Sequence, residues 1–275
     1  MIRKTVQIKE ETISYLVDEK IGNIVVLFLH GFGDEAIRAS TLFKNEDRMY
    51  SIIAPDMPGC GQSTNNHKNI TMEYYCQIVE EFINTSLPEK RLYIVTHSLG
   101  TITALYNAVK NPNIIQIFAV APLMPRDEDE KMKQKRIKWL LPTNGEELYD
   151  SQLKLFCEHD NSYIIQENVK NKIINTGVDF YNHRHSTFTE LANEIVDGSY
   201  VKEIYSQYFK NKHDFMAFVS VNDEYFDYPA SKKYLDLYDI KSVEINDSGH
   251  AMFYKNTPRI HKYINNFILK KEGFY

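Results

Sequence analysis

The chain has 275 residues, of which 43% are apolar and 25% charged, and a formal charge of −5. That is enough apolar chain to bury a full core, which excludes a disordered protein, and eleven glycines and nine prolines exclude collagen-like or low-complexity character. The slightly acidic balance gives no basic field, so neither nucleic acid nor an anionic membrane surface is expected as a partner.

In chain order, residues 5–9 and 12–17 predict two short strands joined by a tight turn at Glu10-Glu11. Residues 24–29 form an unbroken apolar run, as a strand buried on both faces requires. Residues 50–54, 91–96 and 114–121 predict three more. Behind a capping Thr71, Met72, Tyr75, Cys76, Val79, Phe82 and Ile83 recur at helical spacing. So do Leu99, Ile102, Tyr106 and Val109, until Asn111-Pro112 ends that helix. From about 123 to 212 the texture is charged and helical, with breaks at Gly145 and Gly177. Strands return at 214–221 and 242–246, separated by a helix starting near Pro229. A last helix begins at Thr257-Pro258. The pattern predicts an α/β protein with one parallel-rich sheet interrupted by a helical insertion, rather than two tandem domains.

The N-terminal residues alternate apolar and polar and lack the apolar stretch of a signal peptide. The longest apolar runs are of strand length. A soluble, cytoplasmic protein is therefore expected. Cys60, Cys76 and Cys157 have no C-x-x-C spacing, so neither a disulfide framework nor a zinc ribbon is expected. His183-Arg184-His185 alternates two histidines without a set of carboxylates or cysteines, and no metal is predicted there.

Thr96-His97-Ser98-Leu99-Gly100 follows an apolar strand and opens a helix. A serine at such a turn is held in a strained conformation, its hydroxyl raised above the sheet edge, while the helix N-terminus offers free N–H groups to a developing oxyanion. The small neighbours that the crowded turn needs are Thr96 and Gly100. Three further motifs lie at strand ends: His30-Gly31-Phe32-Gly33 after the third strand, Asp56-Met57-Pro58-Gly59-Cys60-Gly61-Gln62-Ser63 after the fourth, and Ser248-Gly249-His250 after the last. With the elbow they stand in the order of the α/β-hydrolase superfamily, and the chain resembles its capped serine esterases and lipases.

That resemblance implies an α/β-hydrolase fold, with a mostly parallel central sheet flanked by helices and a helical cap inserted after the sixth strand. The core would comprise 1–122 and 213–275, and the cap 123–212. It implies Ser98 as nucleophile and His250 as base. The backbone N–H groups of Phe32 and Leu99 would be the oxyanion donors. Asp223, at the end of the strand before that of the histidine, would be the third triad member, with Glu224, Asp227 and Asp247 as competitors. His30 and His97, inside their motifs, are expected to bond within the loop and the elbow. The expected reaction is hydrolysis of a small or medium acyl ester without metal or organic cofactor. Trp139, Phe156, Phe180 and Phe188 of the insertion are candidates to shape the acyl pocket. The partner is then a small-molecule acyl substrate; the oligomeric state is open. The same scaffold accommodates acyl transfer and thioester, lactone or carbon–carbon bond cleavage, or a ligand-binding signalling module with a vestigial triad.

Overall fold

A computed structural model describes residues 1–275 other than Glu46, Glu128, His159, Asp160, His213 and Tyr275. The expected insertion boundary at 212/213 touches His213, which lies outside the described residues.

The hairpin β1 (Ile2–Ile8) and β2 (Glu11–Val17) opens the chain. Its turn falls at Lys9-Glu10, one residue earlier than the sequence suggested. Glu11 is fully buried, its carboxylate accepting from the backbone N–H groups of Asn66 and His67 at 2.8 Å. A carboxylate so satisfied belongs to the strand rather than to an exposed turn. β3 (Ile24–Leu29), β4 (Ser51–Pro55), β5 (Arg91–His97), β6 (Ile114–Val120), β7 (Phe215–Val219) and β8 (Lys241–Glu244) complete an eight-stranded sheet of order β1-β2-β4-β3-β5-β6-β7-β8. β2 is antiparallel to β4, and all pairs from β4 to β8 are parallel.

Both faces of the sheet are covered, which explains the unbroken apolar runs. Side chains alternate between two cores along each strand. Val25, Leu27 and Leu29 face one core, with Ile94, Ile117 and Ala217. Val26 and Phe28 face the other, with Val95, Phe118 and Phe218. The first core is closed by α2 (Met72–Ser86), α3 (Gly100–Lys110), α8 (Ser199–Phe209) and α9 (Tyr228–Leu237). The second is closed by α1 (Ser40–Phe43) and α10 (Thr257–Lys271). Each large apolar side chain so buried contributes about 1.5–3 kcal/mol.

Between β6 and β7 the chain runs through α4 (Glu130–Leu140), α5 (Gly145–Lys154), α6 (Glu167–Ile174), α7 (Val178–Asp197) and α8. α8 joins the layer beside α3, burying Ile204, Tyr205 and Tyr208 in the first core. The preceding helices instead meet loops that leave the C-terminal ends of the strands. His183 on α7 donates to the Gly59 carbonyl at 3.1 Å, and Asn65 donates to Thr187 at 3.0 Å. After α5, the Leu155 carbonyl accepts from the Ala251 N–H at 2.8 Å. Among the described residues no helix is long and apolar enough to cross a membrane.

Candidate active site

The tight turn after β5 places Ser98 at φ 50°, a left-handed conformation that costs a non-glycine residue about 1 kcal/mol or more. The turn is locked on both sides. Ser98 N–H donates to Val120 O at 3.1 Å, and Ser98 O accepts from Thr101 N at 3.0 Å and Leu123 N at 3.1 Å. Behind it the hydroxyls of Thr96 and Thr101 lie 3.0 Å apart. Thr96 stands where the resembled pattern has glycine, and the paired hydroxyls of these two buried residues satisfy each other.

His250 and Asp223 come together at the ends of neighbouring strands. Nδ1 of His250 lies 2.8 Å and 3.0 Å from the two Asp223 oxygens, and the pair is buried, at 5% and 2% exposure. Asp223 Oδ1 also accepts from Phe226 N at 2.9 Å. The two loops are tied to each other by Ser220, whose hydroxyl donates to Ser248 O at 2.6 Å, and by Asn222, whose amide donates to Asn246 O at 2.5 Å. An Nδ1–H directed at a carboxylate leaves the Nε2 lone pair free to accept a proton. The competing acids are occupied elsewhere: Glu224 with Lys154 at 2.9 Å, Asp227 with Arg136 at 3.4 Å and exposed Asp247 with Arg259 at 4.0 Å.

The loop after β3 lies directly against the elbow. A Cβ on Gly31 would fall 3.3 Å from Cβ of Ser98. His30 fixes the loop, its Nδ1–H donating to Gly31 O at 2.8 Å and its Nε2 accepting from Met57 N at 2.9 Å. Among the described residues neither Phe32 N–H nor Leu99 N–H has an acceptor, and neither does the Ser98 hydroxyl have a partner.

His97 holds the histidine turn from below, its Nε2 donating to His250 O at 3.0 Å, with the two rings 4.9 Å apart. Burial first, and the neighbouring His250 second, push the His97 imidazole down to about 4. The unfolded chain protonates it near 6.5, so on acidification the unfolded state gains a proton that the folded state refuses. Stability is expected to fall between about pH 6.5 and 4, and His97→Gln, which keeps a donor for His250 O, is expected to remove roughly 2 kcal/mol of that loss. Urea midpoints from pH 7 to 4.5 measure it; equal slopes for both proteins would contradict a neutral buried His97.

The four aromatic candidates divide between two sides of the site. Phe188 is buried against Phe32, ring centroids 5.3 Å apart, and Phe180, 37% exposed, lies on the same side next to Arg184. Trp139 and Phe156 instead line, with Asp223, a cleft of about 650 Å³ that Ser98 does not border. Sequence reasoning missed Tyr225, which stacks on His250 at 5.0 Å and is anchored by its hydroxyl to Ser151 Oγ at 3.0 Å. It also missed Arg184, whose guanidinium lies 4.9 Å from the Phe32 ring. The signal for Arg184 was present in the His-Arg-His triplet. There the histidines are tied to backbone carbonyls, His183 to Gly59 and His185 to Pro142, and only the arginine turns toward the site. Cys60 is buried, and burial pushes its thiol up to about 12, which rules out a thiolate there at neutral pH.

Comparison with known proteins bears on the family and the fold. Residues 24–257 match the model of the alpha/beta hydrolase fold family. A probable lysophospholipase of Arabidopsis thaliana, BODYGUARD 2, is 34% identical over 105 residues, covering 36% of this chain and 22% of that protein. The (E)-2-((N-methylformamido)methylene)succinate hydrolase of Acinetobacter baylyi is 28% identical over 120 residues, covering 44% of this chain and 45% of that one. The matched segments thus span less than half the length of these curated relatives. Among solved structures, a putative lipase from Acinetobacter baumannii superposes with a TM-score of 0.79 at 16% identity, over 100% of this chain and 93% of that one. A thermophilic esterase from Thermogutta terrifontis gives 0.71 at 15% identity, over 98% and 99%. At such identities these structures attest the fold alone. The strand order, the strained turn after β5 and the family match over most of the sequence lead to one conclusion: the chain belongs to the α/β-hydrolase family.

Proposed function

We propose that this protein is a serine hydrolase that cleaves a carboxylic ester through an acyl-enzyme on Ser98. The observation that carries the proposal is a strained serine after β5 and a buried Asp223–His250 pair on the loops after β7 and β8, with His97, the neighbour of the serine, bonded to His250 O. In this reading the Ser98 hydroxyl adds to the ester carbonyl while Nε2 of His250 takes its proton. Asp223 holds the ring and stabilises the imidazolium. The N–H groups of Phe32 and Leu99 receive the oxyanion, each donor contributing about 3 kcal/mol to the transition state. The C–O bond to the alcohol breaks, and His250 returns the proton to the departing oxygen. Water then attacks the acyl-enzyme with His250 again as base, releasing the acid and restoring the serine.

Residues 123–212 act in this reading as a cap, although α8 within that span packs with the core, so the covering part is α4–α7 and the loops between them. Phe188 against Phe32 supplies an apolar wall beside the oxyanion loop. The partial similarity to a probable lysophospholipase supports an ester rather than another acyl compound.

The test is a panel of esters from acetate to palmitate, together with a fluorophosphonate probe and mapping of the labelled peptide. Turnover of at least one ester and a phosphonate adduct on Ser98 are expected. A folded protein that hydrolyses none and stays unlabelled at Ser98 refutes the proposal.

A further inference from the structure

Arg184 is a cation without a counter-ion beside the reacting centre. Its Nε donates to Leu140 O at 2.6 Å, which fixes the side chain on the cap. Nη1 and Nη2 have no acceptor among the described residues. The nearby acid, Asp34, has its carboxylate engaged by Arg38 at 2.7 Å. The guanidinium lies over Phe32 at 4.9 Å and beside Phe180 at 5.8 Å. A Cβ on Gly33 would fall 2.4 Å from Nη1, and at φ 58° the position itself favours glycine. Thus Gly31 lies beside Ser98, Gly33 lies beside the cation, and Phe32 with its open N–H lies between them. Two residues of chain span at most about 7 Å, and with one contact at either end the guanidinium lies within roughly a dozen ångströms of Ser98.

The acids that reach this cation are held by other partners, Asp34 by Arg38 and Asp56 by Arg3. Burial raises the ionisations of Cys60, Tyr75 and Tyr225, and in each case the positive charge of Arg184 opposes that rise. Its field therefore reaches from the Asp56–Ser63 loop to the tyrosine stacked on His250. Burial also pulls Arg184 below its ordinary value, although a guanidinium stays charged at neutral pH. Arg184 is half-buried, and the planar fork of its unpaired Nη1 and Nη2 matches the two oxygens of a carboxylate.

We infer that Arg184 recognises a carboxylate carried by the substrate a few bonds from the carbonyl that Ser98 attacks, so that the preferred substrates are half-esters of dicarboxylic acids or esters of hydroxy acids. The inference rests on Ser98 as nucleophile. Arg184 was hidden in the sequence because net charge averages over the surface, whereas a single enclosed cation acts at short range and high effective strength.

The experiment compares kcat/KM for the monoethyl and diethyl esters of succinate, glutarate and adipate, with acetoxyacetate as the arm carrying its carboxylate on the alcohol half. The wild type is expected to prefer a carboxylate-bearing ester over its neutral counterpart by about tenfold or more, and Arg184→Gln to shrink that ratio by about 10- to 100-fold. Arg184→Lys, which keeps the charge without the fork, should recover part of it. Either half of the ester carrying the preference supports the inference, and the arms say which. A ratio equal in wild type and Arg184→Gln overturns it while leaving the hydrolase reading intact. Independently of turnover, calorimetric titration with glutarate should show binding weakened at least tenfold by Arg184→Gln. Equal binding, or Arg184-dependent binding of inorganic phosphate but not of glutarate, overturns the carboxylate assignment even if the phosphonate probe labels Ser98. Absence of both label and turnover would refute the nucleophile reading instead.

Discussion

Alanine at position 98 is expected to lower ester turnover by at least about a thousandfold, the scale on which loss of a nucleophile is felt when its partners remain. The thermal midpoint should move by no more than about 2 °C, equivalent to roughly half a kcal/mol in a protein of this size. The two expectations have one structural cause. The Ser98 hydroxyl has no hydrogen-bond partner among the described residues, so deleting it removes no bond that holds the fold. The turn itself is held by main-chain bonds to Val120, Thr101 and Leu123, which alanine keeps, and alanine meets the same left-handed strain as serine. Turnover by the variant within tenfold of wild type, or a large drop in midpoint, would show that the hydroxyl serves the fold rather than the chemistry.

Gly100→Ala is expected to produce the opposite outcome. A Cβ there would lie 2.3 Å from the Leu29 carbonyl oxygen, 2.9 Å from its carbon and 3.0 Å from His30 O. These are backbone atoms at the end of β3, which is paired on both sides, so they cannot swing away as a flexible side chain would. Relief requires α3 to move off the sheet, and α3 carries Ile102 and Leu105 in the first core. A loss of about 3 kcal/mol or more is expected, beyond the usual range for overpacking because the clash is with main chain. Gly177→Ala provides the control: that Cβ meets nothing within 4 Å. Its effect should stay within about 0.5 kcal/mol. Urea unfolding of the three proteins decides; a Gly100→Ala protein as stable as wild type would mean that the helix–strand approach is looser than described.

The outcome for individual residues shows where reading a sequence stops. β3, β5 and β6 were legible because a strand buried on both faces must be apolar throughout. α2 was legible because its stripe and its Thr71 cap repeat at helical spacing, and Thr71 indeed accepts from Tyr74 N at 3.1 Å. α1 was missed: it is four residues long, too short for a period to show. The turn at Lys9-Glu10 was displaced by one residue because Glu11 is a buried carboxylate, and only the distant Asn66 and His67 make it so.

The candidate site divides in the same way. Local backbone crowding fixes which residue types can stand at a turn, so Ser98, Gly100 and the loop from His30 to Gly33 announce themselves in the one-dimensional order, as does the family they belong to. Which acid meets His250, and which cap side chain enters the chamber, depends on pairs 27 or more residues apart, such as Asp223 with His250. No local rule governs such distances. Tertiary packing alone set Asp223 on the imidazole, sent Glu224 and Asp227 to other partners, and laid Arg184 over the Phe32 ring.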